Sequence, residues 1–173
     1  MSADELRAKI REVPDFPKPG ILFYDITTLL KDAAAYKESI DLMLEPFADE
    51  RIDIVVGMES RGFIFSAPMA YLLDAGLVPV RKLGKLPAET ITVEYALEYG
   101  SNTLEIHRDA IAPGERVLIV DDLLATGGTV QGTIELVERL KGEVVGLAFL
   151  VELDFLKGRD RLDGRRVTSV IKY

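Results

Sequence analysis

There is no cysteine in the 173 residues, and only one histidine. The first absence excludes a disulfide framework, a thiolate nucleophile and a sulfur-ligated metal. Basic charge is also short, with 29 acidic residues against 21 basic and a net charge of −8. No general field for nucleic acid or an anionic membrane is expected, so any phosphate binding must be local. No run of 18 apolar residues occurs, and the stretch 1–11 is charged throughout, without the apolar segment of a secretory leader. A cytoplasmic chain is expected, folded as one α/β domain over 1–173 with no nucleic-acid or membrane partner. Two familiar phosphate loops are missing too. No G-x-x-x-x-G-K-[ST] occurs, and Gly127-Gly128-Thr129 puts Thr where G-x-G-x-x-G needs its second Gly.

What is present is concentrated in 117–129. Val117, Leu118, Ile119 and Val120 follow the Pro113-Gly114 turn and predict a strand buried on both faces, as in a parallel sheet. Asp121 and Asp122 come next, then a small-residue loop, Ala125-Thr126-Gly127-Gly128-Thr129, and then a helix with Val130, Ile134, Val137 and Leu140 at helical spacing. Strand, loop and helix in that order make the usual ligand corner of an open α/β sheet. The loop offers backbone N–H groups at a helix N-terminus with two Thr hydroxyls beside them, which suits phosphate. Carboxylates ahead of a phosphate repel it unless they meet hydroxyls or a cation. The pair therefore suggests a sugar phosphate with a divalent ion nearby, or else two acids closing a strand in solvent.

Taken whole, these thirteen residues resemble the phosphoribosyl-diphosphate (PRPP) signature of the type I phosphoribosyltransferases. The resemblance implies a central, mostly parallel sheet flanked by helices, a small N-terminal hood over about 1–30 and a mobile antiparallel hairpin loop. It also implies that residues 125–129 bind the 5′-phosphate, with Asp121 and Asp122 near the ribose hydroxyls.

Elsewhere the chain supplies candidates for the rest of such a site. Ser2 to Glu5 fits a capping box on a short helix carrying Leu6 and Ile10. The run 15–20, Asp-Phe-Pro-Lys-Pro-Gly, forces a stiff connector into an apolar stretch where Phe23 is either core or a stacking aromatic. Asp32 is expected to cap a helix to about residue 45. A strand over 52–57 runs into Glu59-Ser60-Arg61-Gly62-Phe63 and a helix over 64–73 ended by Gly76. Arg61 there is a diphosphate fork or a surface ion-pair partner. A short strand, 78–80, leads to a basic loop with Arg81, Lys82 and Lys85. Two antiparallel strands follow, 91–95 and 104–106, then His107, a cation within reach of diphosphate or a surface histidine. Strands over 143–151 and 167–172 complete the pattern.

F-P-x-P-G-I-L-F-x-D-I-T is similar to the hood of adenine phosphoribosyltransferases. The match implies that Phe23 stacks on adenine and that the backbone at Leu22 reads the purine edge. Tyr24 stands where some relatives carry Arg. E-S-R-G-F looks like the diphosphate loop, with Arg61 its cation. R-K-x-G-K-L-P and L-E-Y-G are similar to the catalytic loop, which gives Lys82, Lys85, Glu98 and Tyr99 roles, Glu98 either taking a proton from the purine or steadying the developing cation. V-E-L resembles the base-pocket edge, with Leu153 opposite Phe23. The implied reaction joins N9 of adenine to C1 of PRPP and yields AMP and diphosphate. The resemblance further implies a Mg²⁺ held mainly by the PRPP diphosphate, with no certain direct protein ligand, and a homodimer. Xanthine, hypoxanthine-guanine and orotate enzymes share the fold, as do PRPP-sensing regulators that bind nucleic acid. The charge of −8 argues against the regulators.

Overall fold

The computed structural model describes residues 1–96, 100–162 and 164–173. Seven strands form one sheet in the order β5-β6-β4-β3-β7-β8-β9. They are β3 (Ile54–Met58), β4 (Gly76–Lys82), β5 (Thr90–Ala96), β6 (Ser101–His107), β7 (Arg116–Leu124), β8 (Glu143–Glu152) and β9 (Val167–Lys172). The β4-β3-β7-β8-β9 portion is parallel, and β6 and β5 continue it antiparallel. The mostly parallel sheet that the resemblance implies is therefore present.

Alternation explains why the inner strands read as unbroken apolar runs. In β7, Leu118 and Val120 enter one hydrophobic cluster while Val117 and Ile119 enter the other, and Ala148 and Leu150 alternate likewise with Leu147 and Phe149 in β8. The first cluster is completed by helices α3 (Ala33–Leu44) and α4 (Gly62–Leu72), the second by α5 (Gly128–Arg139). Asp32 caps α3 by accepting the Ala34 and Ala35 N–H groups, each at 3.1 Å, as expected.

Connectivity fixes where a ligand can go. From β3 the chain crosses through α4 to β4 on one side, and from its neighbour β7 it crosses through α5 to β8 on the other. The strand order reverses between β3 and β7, so their carboxyl ends open on a crevice.

Several boundaries differ from the sequence reading, and β6 spans Ser101–His107 where only 104–106 is expected. Helix α4 stops at Leu72, and the left-handed turn after it is taken by Asp74 (φ 55°), whereas Gly76 opens β4. Strand β4 runs on through Arg81 and Lys82, because these pair with Glu105 and Leu104 of β6. Asp121 and Asp122 lie inside β7, which pairs with β8 as far as Leu124↔Glu152.

The N-terminal layer is a two-stranded ribbon, β1 (Arg11–Pro14) with β2 (Leu22–Asp25), preceded by α1 (Ala3–Arg7) with its capping box formed, and followed by α2 (Thr27–Leu30). Leu6 and Ile10 are buried, although Ile10 lies beyond the helix. Tyr24 of the ribbon stacks on Tyr173 at 3.8 Å between ring centroids, and the Arg7 guanidinium lies 4.3 Å from the Tyr173 ring centre. The C-terminal residue thus pins the hood. Replacing Tyr173 by Ala should cost about 0.5–1.5 kcal/mol beyond lost area and lower the thermal midpoint by roughly 2–6 °C. An unchanged midpoint in differential scanning calorimetry would remove this role.

Candidate active site

A cavity of about 400 Å³ occupies the crevice. It is walled by Glu59, Ser60 and Arg61 after β3, by Asp121 and Asp122 of β7, by the loop 125–129, and by Lys82, Tyr95 and Asn102 from the β4 end and the β5–β6 hairpin. The sequence candidates Arg61, Lys82, Asp121, Asp122, Ala125, Thr126, Gly127, Gly128 and Thr129 are therefore brought together.

The loop is shaped by Gly127, whose φ of 87° is open to glycine with little strain, and which sits as the N-cap of α5. No side chain caps this helix, so its first N–H groups face the cavity as a ready anion site.

Charge is balanced locally. The Arg61 Nε donates to Asp122 Oδ2 at 2.6 Å, and the Asp122 side chain is 8% exposed. Burial would lower the Arg61 pKa, but Asp122 outweighs it and holds the guanidinium firmly protonated. Asp121 Oδ1 accepts the Asp122 N–H at 2.8 Å. Desolvation first, and the Asp122 charge second, push the Asp121 carboxyl well above the ordinary carboxylate range. Glu59 is the hub of the cations: Oε1 accepts the Lys82 N–H at 2.5 Å, and Oε2 lies 3.3 Å from Arg81 Nη2 and 3.8 Å from Lys85 Nζ. Burial opposes its ionisation, but the Lys82 amide and the two cations hold its carboxyl below the usual value.

Lys85 does not line the cavity, yet its backbone is fixed. Glu105, nearly fully buried on β6, accepts the Lys85 and Leu86 N–H groups at 3.0 and 2.8 Å. His107 is not brought to the cavity. It lies at the far end of β6 opposite Thr90, and its Nε2 accepts the Ala88 N–H at 3.3 Å. Glu98 and Tyr99 lie outside the described residues.

A second, more apolar cavity opens beneath the hood, lined by Val13, Phe16, Phe23, Tyr24, Asp25, Ile26, Thr27 and Arg61. Phe23 is half-buried, with the Phe16 ring edge-on at 5.2 Å. Arg61 lines both cavities, its Cζ 5.9 Å from the Phe23 ring centre. Tyr24 lines this second cavity and stacks on Tyr173. Leu22 is exposed on the ribbon, and Leu153 packs against the first hydrophobic cluster, its N–H donating to Leu124 O at 2.9 Å.

Sequence reasoning missed Tyr95 and Asn102, which carry no motif and reach the cavity only because they pair across the hairpin. It also left Glu59 and Glu105 without roles, although Glu59 lies within E-S-R-G-F. Among the described residues, no group of three or more His, Cys, Asp or Glu could hold a metal. Glu59, Asp121 and Asp122 are the carboxylates in the cavity wall.

An elevated Asp121 pKa means that ionisation opposes folding. Stability should fall as pH rises from the ordinary carboxylate value of about 3.9 toward the folded value. Asp121→Asn should remove that fall and raise the thermal midpoint near pH 7, by roughly 2–4 °C for each kcal/mol relieved. Thermal midpoints from pH 4 to 8 check this, and a wild-type and variant difference that does not grow with pH would refute it.

A model of the phosphoribosyl transferase domain matches residues 25–171. The adenine phosphoribosyltransferase of Acidobacterium capsulatum is 58% identical over 173 residues, which is 100% of this chain and 96% of that one. The crystal structure of the Thermoanaerobacter pseudethanolicus adenine phosphoribosyltransferase superimposes with a TM-score of 0.96 at 53% identity, covering 99% of this chain and all of the other. The Saccharomyces cerevisiae enzyme, solved with adenine and an imino-altritol bisphosphate, gives 0.91 at 42% identity over 97% of each chain. With the family model spanning most of the chain and these enzymes aligned almost end to end, the chain belongs to the phosphoribosyltransferase family, among the adenine phosphoribosyltransferases.

Proposed function

We propose that the chain transfers the phosphoribosyl group of PRPP to N9 of adenine, giving AMP and diphosphate. The observation that carries this reading is the pair of adjoining cavities with Arg61 in the wall of both. One suits a sugar phosphate and the other a flat apolar ring, and a group shared between them lies where base, ribose and leaving group meet. The yeast relative's adenine supports the choice of base.

In this reading the α5 N-terminus and the N–H groups of 125–129 take the 5′-phosphate, and Asp121 and Asp122 face the ribose hydroxyls. Phe23 stacks on adenine, with Leu153 proposed for the opposite face. Leu22 pairs with Pro14, which has no N–H to offer the Leu22 carbonyl, so that backbone suits a purine edge. Loss of a C1 substituent beside the ring oxygen builds oxocarbenium character. Arg61, Lys82 and Lys85 then stabilise the departing diphosphate, Glu59 and Glu105 having set the last two in place, and no covalent nucleophile is needed. A Mg²⁺ ion, if bound with PRPP, would supply further positive charge to the leaving diphosphate, with Asp121 and Asp122 the protein carboxylates nearest to hold it. Glu98 is the proposed proton acceptor. The β5–β6 hairpin closes over the bound substrate.

The same reading makes the chain one cytoplasmic domain and a homodimer. Exposed Tyr71, Leu72 and Leu77, at the end of α4 and the start of β4, suit a subunit contact. Sedimentation at micromolar concentration should show a dimer, and a monomer would remove the claim.

Phe23→Ala separates the two cavities experimentally. Adenine binding should weaken by ~1–3 kcal/mol, the range for base–aromatic stacking, while PRPP affinity stays within twofold. An unchanged adenine KM would return Phe23 to a packing role.

A further inference from the structure

Glu152, the last residue of β8, is 2% exposed and lines neither cavity. Its Oε1 accepts from Arg159 Nε at 2.9 Å and its Oε2 from Arg159 Nη2 at 2.6 Å, a two-point fork. Ser169 Oγ donates to the same Oε2, and Lys172 Nζ lies 3.8 Å away. Arg159 also donates from Nη1 to the Val167 carbonyl at 2.8 Å and from Nη2 to Ser169 Oγ at 3.3 Å. The guanidinium therefore ties the end of β8 to β9. A carboxylate this deep needs a reason to be there, since a buried ion pair is a weak source of net stability.

What the pair holds is the short helical turn Gly158–Leu162, and that turn lies back to back with the phosphate loop. A Cβ added to Gly158 would fall 2.2 Å from the Ala125 carbonyl oxygen and 3.1 Å from the carbonyl carbons of Ala125 and Thr126. One added to Gly127 would fall 2.7 Å from the Gly158 oxygen. The two backbones touch with no room for a side chain between them. At Gly158 the requirement is for space, because its φ is not in the left-handed region.

We propose that Gly158 and Arg159 are positioning residues for the 5′-phosphate loop: the Gly158 backbone is the floor on which 125–127 rest, and the Arg159–Glu152 fork fixes that floor. The loop's N–H groups are then aimed before a ribose phosphate arrives, so less ordering is left to binding. This rests on the reading of 125–129 as the phosphate loop. Neither residue touches substrate.

The test is steady-state kinetics with PRPP and adenine, calorimetric titration of ribose 5-phosphate, and thermal midpoints, on wild type, Gly158→Ala and Arg159→Lys. Arg159→Lys keeps the charge but loses the planar fork. In both variants the PRPP KM and the ribose 5-phosphate Kd should rise at least tenfold, with adenine KM and kcat within threefold of wild type. Both variants should lower the midpoint, so the split decides: a purely structural role would move both substrates' KM together, or move neither, and either result overturns the proposal. If Gly158→Ala is insoluble, Arg159→Lys decides alone by the same split. Failure of wild type to bind ribose 5-phosphate would instead defeat the loop reading itself, and this proposal with it.

Discussion

The reversal of strand order between β3 and β7 is the constraint on which the rest depends. Two parallel neighbours send their chains to opposite faces, so nothing covers their carboxyl ends and the loops there diverge. Two walls of the candidate site hang from that divergence, Glu59, Ser60 and Arg61 from β3 and the acidic pair and glycine loop from β7, while Lys82, Tyr95 and Asn102 close it from the end of β4 and the β5–β6 hairpin. The Arg61–Asp122 bond at 2.6 Å spans the gap, joining two segments 61 residues apart. It also keeps a nearly buried carboxylate partnered, which a lone Asp there would not be.

The site is overbuilt with charge, and its arrangement separates roles by distance from solvent. Asp121 is driven toward its neutral form by desolvation and by Asp122, a strain consistent with a group shaped for a ligand rather than for stability. Glu59 does the reverse, pairing with the Arg81 and Lys85 cations and accepting the Lys82 backbone N–H at the end of β4. Glu105 then fixes the basic loop by its backbone and leaves the Lys85 side chain half-exposed at the rim. A ring of carboxylates thus presets cations that would otherwise repel one another across an unliganded pocket.

The parts legible in the sequence were those whose cause is local. The strand–loop–helix of 117–129, the Asp32 cap and the final strand over 167–172 each follow from apolar runs, a capping residue or glycines close in sequence. What was not legible depends on pairing between distant segments. Arg81 and Lys82 read as loop, because only β6 makes them strand. The acidic pair read as lying beyond its strand, because only β8 extends it. His107 looked available to diphosphate from its position after the hairpin, but strand register carries it to the opposite end, beside Ala88. The stack of Tyr24 on Tyr173 likewise joins segments far apart in sequence, and neither residue alone signals it.

The central claim is that the two cavities sharing Arg61 join a ribose phosphate to adenine and to no other purine. An initial-rate assay of the wild-type chain with PRPP and Mg²⁺, run in parallel with adenine, hypoxanthine, guanine and xanthine, addresses it directly. The account predicts nucleotide and diphosphate formed in equal amounts with adenine, and background rates with the other three. A rate on any of the other purines equal to that on adenine would contradict it.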